Sequence, residues 1–303
     1  MSADYVFIKE KEKMDFITTL INGLSLGGIY AMIALGYTMV YGIAKMLNFA
    51  HGDIIMVGGY TIFVVLGLSG NPILATVAAI IVCVVLGVTI EKIAYKPLRG
   101  ASPLAVLITA IGVSYLLQSL AQIIFGSAQK IVIVADMGTV TLGSVSISVS
   151  TLVTLGCTVL VMVVLTLFVK FTKTGRAMVA VSEDRGAAQL MGINVNRIIT
   201  ITFAIGSALA ALAGLFYLMK SPGLTTTLGA MPGIKAFTAA VIGGIGSVPG
   251  AMLGGILLGV VECISYKITA IAPYTDAIEF SILIIILLVK PTGFLGKKRR
   301  EKV

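Results

Sequence analysis

Long, nearly unbroken apolar runs constrain this chain more than any other feature. They lie at about 16–43, 53–69, 72–91, 103–126, 150–171, 198–219 and 248–270. A shorter run follows at 275–290, and another, 233–246, is interrupted by glycines. A helix needs roughly 20 apolar residues to span a hydrocarbon core. Composition agrees: 58% of the 303 residues are hydrophobic and 12% are charged, against about 45–50% and about 25% in soluble domains. The expected fold is an all-α polytopic membrane protein with eight or nine transmembrane segments, one of them short and broken. The membrane domain occupies 16–290, between a tail at 1–15 and a basic tail at 291–303.

Lys9, Glu10, Lys11, Glu12 and Lys13 mix both signs before the first run. No small-residue cleavage site follows a short apolar region, so the first run is expected to stay in the membrane. Cys83, Cys157 and Cys263 all lie inside apolar runs, in no ligand spacing, so neither disulfide, metal site nor cofactor is expected. Net charge is +9, yet its distribution points away from nucleic acid. Basic residues collect in short segments between runs, as the positive-inside bias requires. These are 91–99 (Lys92, Lys96, Arg99), 170–197 (Lys170, Lys173, Arg176, Arg185, Arg197) and the C-terminus from Lys290. All three are assigned to the cytoplasm of a plasma (inner) membrane protein. The opposing segment 127–149 carries only Lys130 and Asp136. Its alternation of apolar and polar residues predicts a small β-hairpin on the outer surface.

Parity then constrains the path. The C-terminus returns to the cytoplasm only if the broken stretch 233–246 also crosses, and such a crossing is tolerable only where protein covers its backbone. Three runs precede loop 91–99, which puts the N-terminus outside unless 44–60 is re-entrant. Four crossings up to 126 and four from 198 then have opposite orientation, the pattern of an inverted repeat. The broken segments, near 44–60 and 233–250, fall at comparable places, as discontinuous helices do along the substrate path of transporters.

The motif "NFAHGD" (48–53) places Asn48, His51 and Asp53 between two apolar runs. Polar groups in hydrocarbon face a bundle interior or water. These three can cap helix ends, line a translocation path, or do both. Tyr30, Tyr37 and Tyr41 are seven and four apart, hence on one helical face. They serve packing, or a weakly polar lining that passes a solute without holding it. Gly23 and Gly27 form a step suited to close helix contact. In "VIGGIGSVPGAMLGG" (241–255), Gly243, Gly244, Gly246, Gly250 and Gly254 suit packing or a hinge, and Pro249 suits the first turn of a helix. Lys235 and Glu262 are charges near or inside apolar runs: path residues, snorkelling side chains or a buried pair.

The stretch "KTGRAMVAVSEDRGAAQLMGINVNRI" (173–198) is too long for a tight turn. Ser182, followed by Glu183 and Asp184, starts a helix of about 183–191 that Gly192 stops. It is either an amphipathic loop helix on the membrane or a docking element. ABC importer permeases carry Glu-Ala-Ala, three residues, then Gly in such a loop. Here Gly186-Ala187-Ala188, three residues and Gly192 resemble it, with glycine for the glutamate. The wider chain resembles the high-affinity branched-chain amino acid permeases, in the membrane subunit with the Asn-Phe-Ala-His-Gly motif. The matching stretches are 23–53, 175–198, 233–255 and "PTGFLG" at 291–296.

The resemblance implies a non-catalytic permease subunit of an ATP-driven importer for leucine, isoleucine or valine; related permeases take amides, urea or other amino acids. Its docking residues would be Glu183, Asp184, Arg185, Ala187, Ala188, Leu190, Met191 and Gly192. It further implies cytoplasmic ABC ATPase subunits, a second, different permease subunit, and an extracytoplasmic solute-binding protein as partners. The chain has no phosphate-loop motif, and "GFLGKK" does not supply one. The competing reading is a stand-alone secondary transporter or channel, which would not need a docking helix.

Overall fold

The computed structural model describes residues 3–135, 137–142 and 145–296. Asp136 of the outer segment and the cationic tail from Lys297 lie outside the described residues. The helices are α1 (Ala3–Ala44), α2 (His51–Ser69), α3 (Pro72–Ile90), α4 (Pro103–Phe125), α5 (Val149–Phe171), α6 (Lys173–Glu183), α7 (Arg185–Leu190), α8 (Val195–Lys220), α9 (Ala230–Gly243), α10 (Val248–Lys267) and α11 (Thr275–Val289). Among the described residues, eight helical segments are long and apolar enough to cross a membrane, and α9 is a shorter apolar helix. This is the all-α polytopic fold the apolar runs predict. Residues 3–14, expected as a tail, continue α1 as helix.

Helix starts follow local chemistry. The Asn71 side chain accepts from the Ile73 and Leu74 amides at 2.9 and 3.2 Å ahead of Pro72. Ser102 caps α4 ahead of Pro103, and Ser247 caps α10, with Pro249 in its first turn. Proline fits there because the first helical N–H groups have no internal partner. Gly70 closes α2 in the left-handed region at φ 64°.

Among the described residues there are also four short strands: β1 (Lys130–Ile131), β2 (Thr139–Leu142), β3 (Val145–Ser148) and β4 (Gly223–Leu224). β2 and β3 form the expected hairpin, with Val140 opposite Ile147. β1 pairs antiparallel with β4, which joins the ends of α4 and α8 on one face. Sequence reading did not anticipate that pair.

The helices pack as two matched sets. α2 meets α3 and α8, as α9 meets α10 and α1; α3 lies on α8, as α10 lies on α1; α2 reaches α4, as α9 reaches α11. This contact pattern is the one expected of an inverted repeat. At the centre α1 and α10 run antiparallel and nearly backbone to backbone. A Cβ on Gly23 would lie 2.9 Å from Val260 Cα, and one on Gly27 would lie 2.7 Å from Ile256 Cα. Small residues permit such contact.

Contacts also sort the loops by face. Lys220 Nζ donates to the Asn22 carbonyl at 3.2 Å and Thr151 Oγ1 to Asn22 Oδ1 at 3.3 Å, so early α1, the end of α8 and the start of α5 share one face. Arg185 reaches the Ile43 carbonyl, and Gly293 packs against Gly244, itself near Gly42 through Gly246. The 172–197 elbow, the C-terminal residues 291–296 and the end of α1 therefore share the opposite, basic face.

Gly27→Ala is expected to lower the thermal midpoint in detergent, by overpacking worth about 1–3 kcal/mol. Gly67→Ala, whose Cβ has nothing within 4 Å, is expected to hold or raise it, because alanine favours helix. Equal shifts in the two variants would contradict the α1–α10 contact.

Candidate functional site

The chain leaves α1 at Ala44 and turns through Lys45, a non-glycine residue at φ 55°. Lys45 Nζ donates back to the Gly42 carbonyl. The chain then climbs back into the bundle. His51, the first residue of α2, lies against Gly36, where a Cβ would meet its ring. Gly36 is eight residues above Ala44, about 12 Å at 1.5 Å per residue. α2 thus starts well inside the bundle rather than at its surface.

Its start meets the start of α9. A Cβ on Gly233 would lie 3.2 Å from Gly52 Cα and 3.3 Å from Tyr37 Oη, and Gly229 abuts the Gly52 carbonyl. Two interrupted helices therefore present their N-terminal turns to each other, and only glycines let them come this close. Each N-terminal turn carries the positive end of its helix dipole, while the His51, Asp53, Ala230 and Gly233 amides bond back to the preceding carbonyls of Asn48, Ala50, Thr227 and Gly229.

The motif's polar groups do not cap α2. Its N-cap position is Ala50, with no side-chain cap. Asn48 Oδ1 instead accepts from Tyr95 Oη at 2.8 Å, and the Tyr95 ring lies 5.5 Å from that of Phe203. Asp53 Oδ1 accepts from Gln118 Nε2 at 2.8 Å, and Gln118 also reaches Ser114 Oγ at 3.2 Å. His51 is 2% exposed. Its ring meets Tyr37 edge-on at 4.8 Å, and its Nε2 has no hydrogen-bond partner among the described residues. The capping expectation fails because the chain re-enters the bundle, where tertiary partners from the 91–99 turn and α4 reach the side chains first.

The tyrosines of α1 divide. Tyr37 and Tyr41 line a narrow crevice with Met46, Asn48, Phe237 and Ile245. Tyr30 faces Glu262 instead. Glu262 belongs to a buried ion cluster. Lys235 Nζ of α9 lies 3.0 Å from Glu262 Oε1, 2.8 Å from Asp276 Oδ1 and 3.2 Å from Glu279 Oε2. The Lys235 and Glu279 side chains are 6% and 0% exposed, while that of Asp276 is 50% exposed. One cation thus binds α9 to both α10 and α11. Lys235 and Glu262 are the pair considered from sequence. Asp276 and Glu279 were missed there, although their three-residue spacing in an apolar run marks one helical face.

Glycines at the α9–α10 turn are likewise in contact. Gly243 packs on Gly250, a Cβ on Gly254 would lie 3.0 Å from Gly243 N, and Gly244 and Gly246 have φ of 106° and 94°. Gly244 touches Gly293 and Gly296 of the C-terminal segment.

On the basic face, the elbow is two helices rather than one. Thr172 Oγ1 accepts from the Gly175 amide at 2.9 Å and starts α6. α6 buries Gly175, Met178 and Val181. Asp184 is extended, and its Oδ1 accepts from the Ala187 amide at 3.0 Å, which starts α7. The expected helix of about 183–191 is therefore corrected: its cap is Asp184, while Ser182 Oγ bonds back to the Val179 carbonyl at 2.7 Å. Gly192 ends α7 at φ 81°. Glu183, Asp184, Ala187 and Gly192 are exposed, and Leu190 and Met191 are 91% and 82% exposed. Ala188 is buried, and Arg185 turns inward to the Ile43 carbonyl, Nη2 at 2.9 Å and Nε at 3.3 Å. Burial, then the positive charge of Arg99, holds the Arg185 guanidinium below its usual range. Beside it, buried Glu91 pairs with Arg99 and accepts from Thr200 Oγ1 at 2.9 Å, and Arg99 also bonds Asn196. This network fixes the 91–99 turn to the start of α8.

Two interrupted helices meeting inside a helical bundle, with a capped elbow on a basic face, define a multi-pass membrane protein built on broken-helix repeats. The family model described as "Branched-chain amino acid transport system / permease component" matches residues 19–287. The chain belongs to that family. It is 44% identical to the high-affinity branched-chain amino acid transport system permease protein BraD of Pseudomonas aeruginosa, over 95% of this chain and 98% of that one. It is 42% identical to the corresponding LivH protein of Salmonella typhimurium over the same shares. A probable branched-chain amino acid transport permease protein LivH of Methanocaldococcus jannaschii is 31% identical over 88% of this chain and 89% of its own.

Replacing Lys235 by Met is expected to cost about 3–5 kcal/mol, the range for stranding buried charge, and to lower the thermal midpoint sharply. Adding Glu262→Gln and Glu279→Gln should recover most of the loss. An unchanged midpoint for Lys235→Met alone would show that the cation is not needed there.

Proposed function

We propose that this chain is the membrane subunit of an ATP-binding-cassette importer that passes branched-chain amino acids, or similar small solutes, across a plasma (inner) membrane. The basic face is then cytoplasmic and holds the elbow, loop 91–99 and the C-terminus. Hydrolysis belongs to separate ABC ATPase subunits that grip the elbow. A second permease subunit completes the pore, and an extracytoplasmic binding protein selects the solute. Within this chain, Asn48, His51 and Asp53 with Tyr37 and Tyr41 border the path where α2 and α9 meet. Lys235 and Glu262, with Tyr30 beside them, clamp the helices around it.

One observation carries the reading. Leu190 and Met191 stand almost fully exposed at the tip of an elbow that buries Met178, Val181 and Ala188 against the chain and leaves Val179 46% exposed. Two large apolar side chains held out on a capped turn suit insertion into a partner's pocket, where such anchors supply most of an interface's energy. The names of the relatives support the same system and solute. A stand-alone transporter or channel has no use for such a tip.

Leu190→Asp and Met191→Arg are expected to cut co-purification of the ATPase subunits at least about tenfold, the loss of one anchor residue. Membrane level and monodispersity should hold, because both side chains lie outside the core. Ala188→Arg would not make this test, since Ala188 is buried and the variant would disturb the elbow itself. Unchanged ATPase retention in both variants would overturn the docking role.

A further inference from the structure

Arg185 is half-buried and carries no carboxylate partner among the described ion pairs. A cation withdrawn from water needs an answering charge or a set of acceptors. Here the answer is the C-terminal end of α1. Nη2 and Nε of Arg185 both point at the Ile43 carbonyl, one residue before the helix stops. The last carbonyls of a helix have no internal partner and form the negative end of its dipole. Lys45 closes the neighbouring carbonyl of Gly42. Two cations therefore finish α1, one local and one delivered by the elbow from 142 residues away in sequence.

Position gives this contact its consequence. Arg185 opens α7, five residues before the exposed Leu190, so a push on the tip is felt at the guanidinium about one and a half turns away. At its other end lies the point where α1 breaks. The next residues, Lys45–Ala50, carry Asn48 and lead directly to His51, Gly52 and the meeting of α2 with α9. The contact is also not locked in dense packing. A cleft of about 60 Å³ opens beside it, lined by Thr38, Met39, Gly42, Ile43, Val179 and Ser182. The end of α1 and α6 can therefore shift relative to each other, while the arginine keeps hold of the carbonyl.

We infer that Arg185 is a positioning residue: a strap by which displacement of the elbow moves the end of α1, and with it the broken segment that opens the path. This rests on the importer reading given above, and adds to it the route by which motion enters the membrane domain. The guanidinium makes directional, two-pronged hydrogen bonds that an ammonium reproduces only in part.

The test uses the complete transport complex in lipid vesicles, with ATP hydrolysis and solute uptake measured on the same sample. Arg185→Met, similar in length and without charge, is expected to retain ATPase binding and to hydrolyse ATP within about twofold of wild type. Its uptake per ATP should fall about tenfold, as follows from losing a hydrogen bond to a charged group. Arg185→Lys should fall between the two. Uptake per ATP equal to wild type in Arg185→Met would overturn the strap. So would a proportionate loss of assembly, hydrolysis and uptake that Arg185→Lys does not relieve, which marks a merely structural contact. Failure of the wild-type chain to bind any ATPase would sink the importer reading itself, and the strap with it.

Discussion

Everything in this molecule depends on how a backbone can be interrupted inside a hydrocarbon-filled region. An unpaired amide or carbonyl in lipid costs several kcal/mol, so a chain break must be buried in protein. Here the breaks fall between α1 and α2, between α8 and α9, and between α9 and α10. The first two are covered by each other: Gly52 of α2 abuts Gly229 and Gly233 at the start of α9. Any side chain at these positions would push the two helix starts apart. The close approach of α1 to α10 through Gly23 and Gly27 surrounds that centre with tightly packed helix.

Charges inside the bundle obey the same economy of partners. Lys235 answers three carboxylates, Glu91 takes Arg99 and Thr200, and Asp53 takes Gln118. Apart from the local Glu91–Arg99 pair, each of these pairings joins elements distant in sequence and so holds helices at fixed spacing. His51 is the contrast. Its Nε2 faces Gly36 with no hydrogen-bond partner among the described residues, beside the aromatic cleft of Tyr37, Tyr41 and Phe237. The bundle is thus clamped by ion pairs at α9–α11 and loosely polar where the broken helices meet. That division suits a scaffold that stays rigid around a segment that moves.

Much of this was legible in the sequence because hydrocarbon imposes simple rules. Apolar length marked the crossings, alternation marked the β2–β3 hairpin, and Pro249 and Gly192 sat where helices start and stop. Parity over the basic loops anticipated which loops share a face. What was not legible was set by contacts across the bundle. Asn48, His51 and Asp53 look like caps in isolation, yet Tyr95 and Gln118 claim two of them. The elbow was misread in register because Ser182–Glu183–Asp184 offers several acceptable caps, and only the early start at Thr172 decides among them. Arg185 counted as a surface docking residue until its inward bond to Ile43 was seen. β1 and β4 are too short to announce themselves, and Asp276 with Glu279 gains meaning only beside Lys235.

The central claim is that a conduit without an engine of its own is moved from its basic face. Its most direct test is uptake of a labelled branched-chain amino acid into vesicles containing this chain and the second permease subunit proposed above, with binding protein supplied. The account predicts no accumulation against a gradient until the ATPase subunits and ATP are present, even with an imposed proton gradient. Uphill accumulation in the vesicles that lack the ATPase would contradict it.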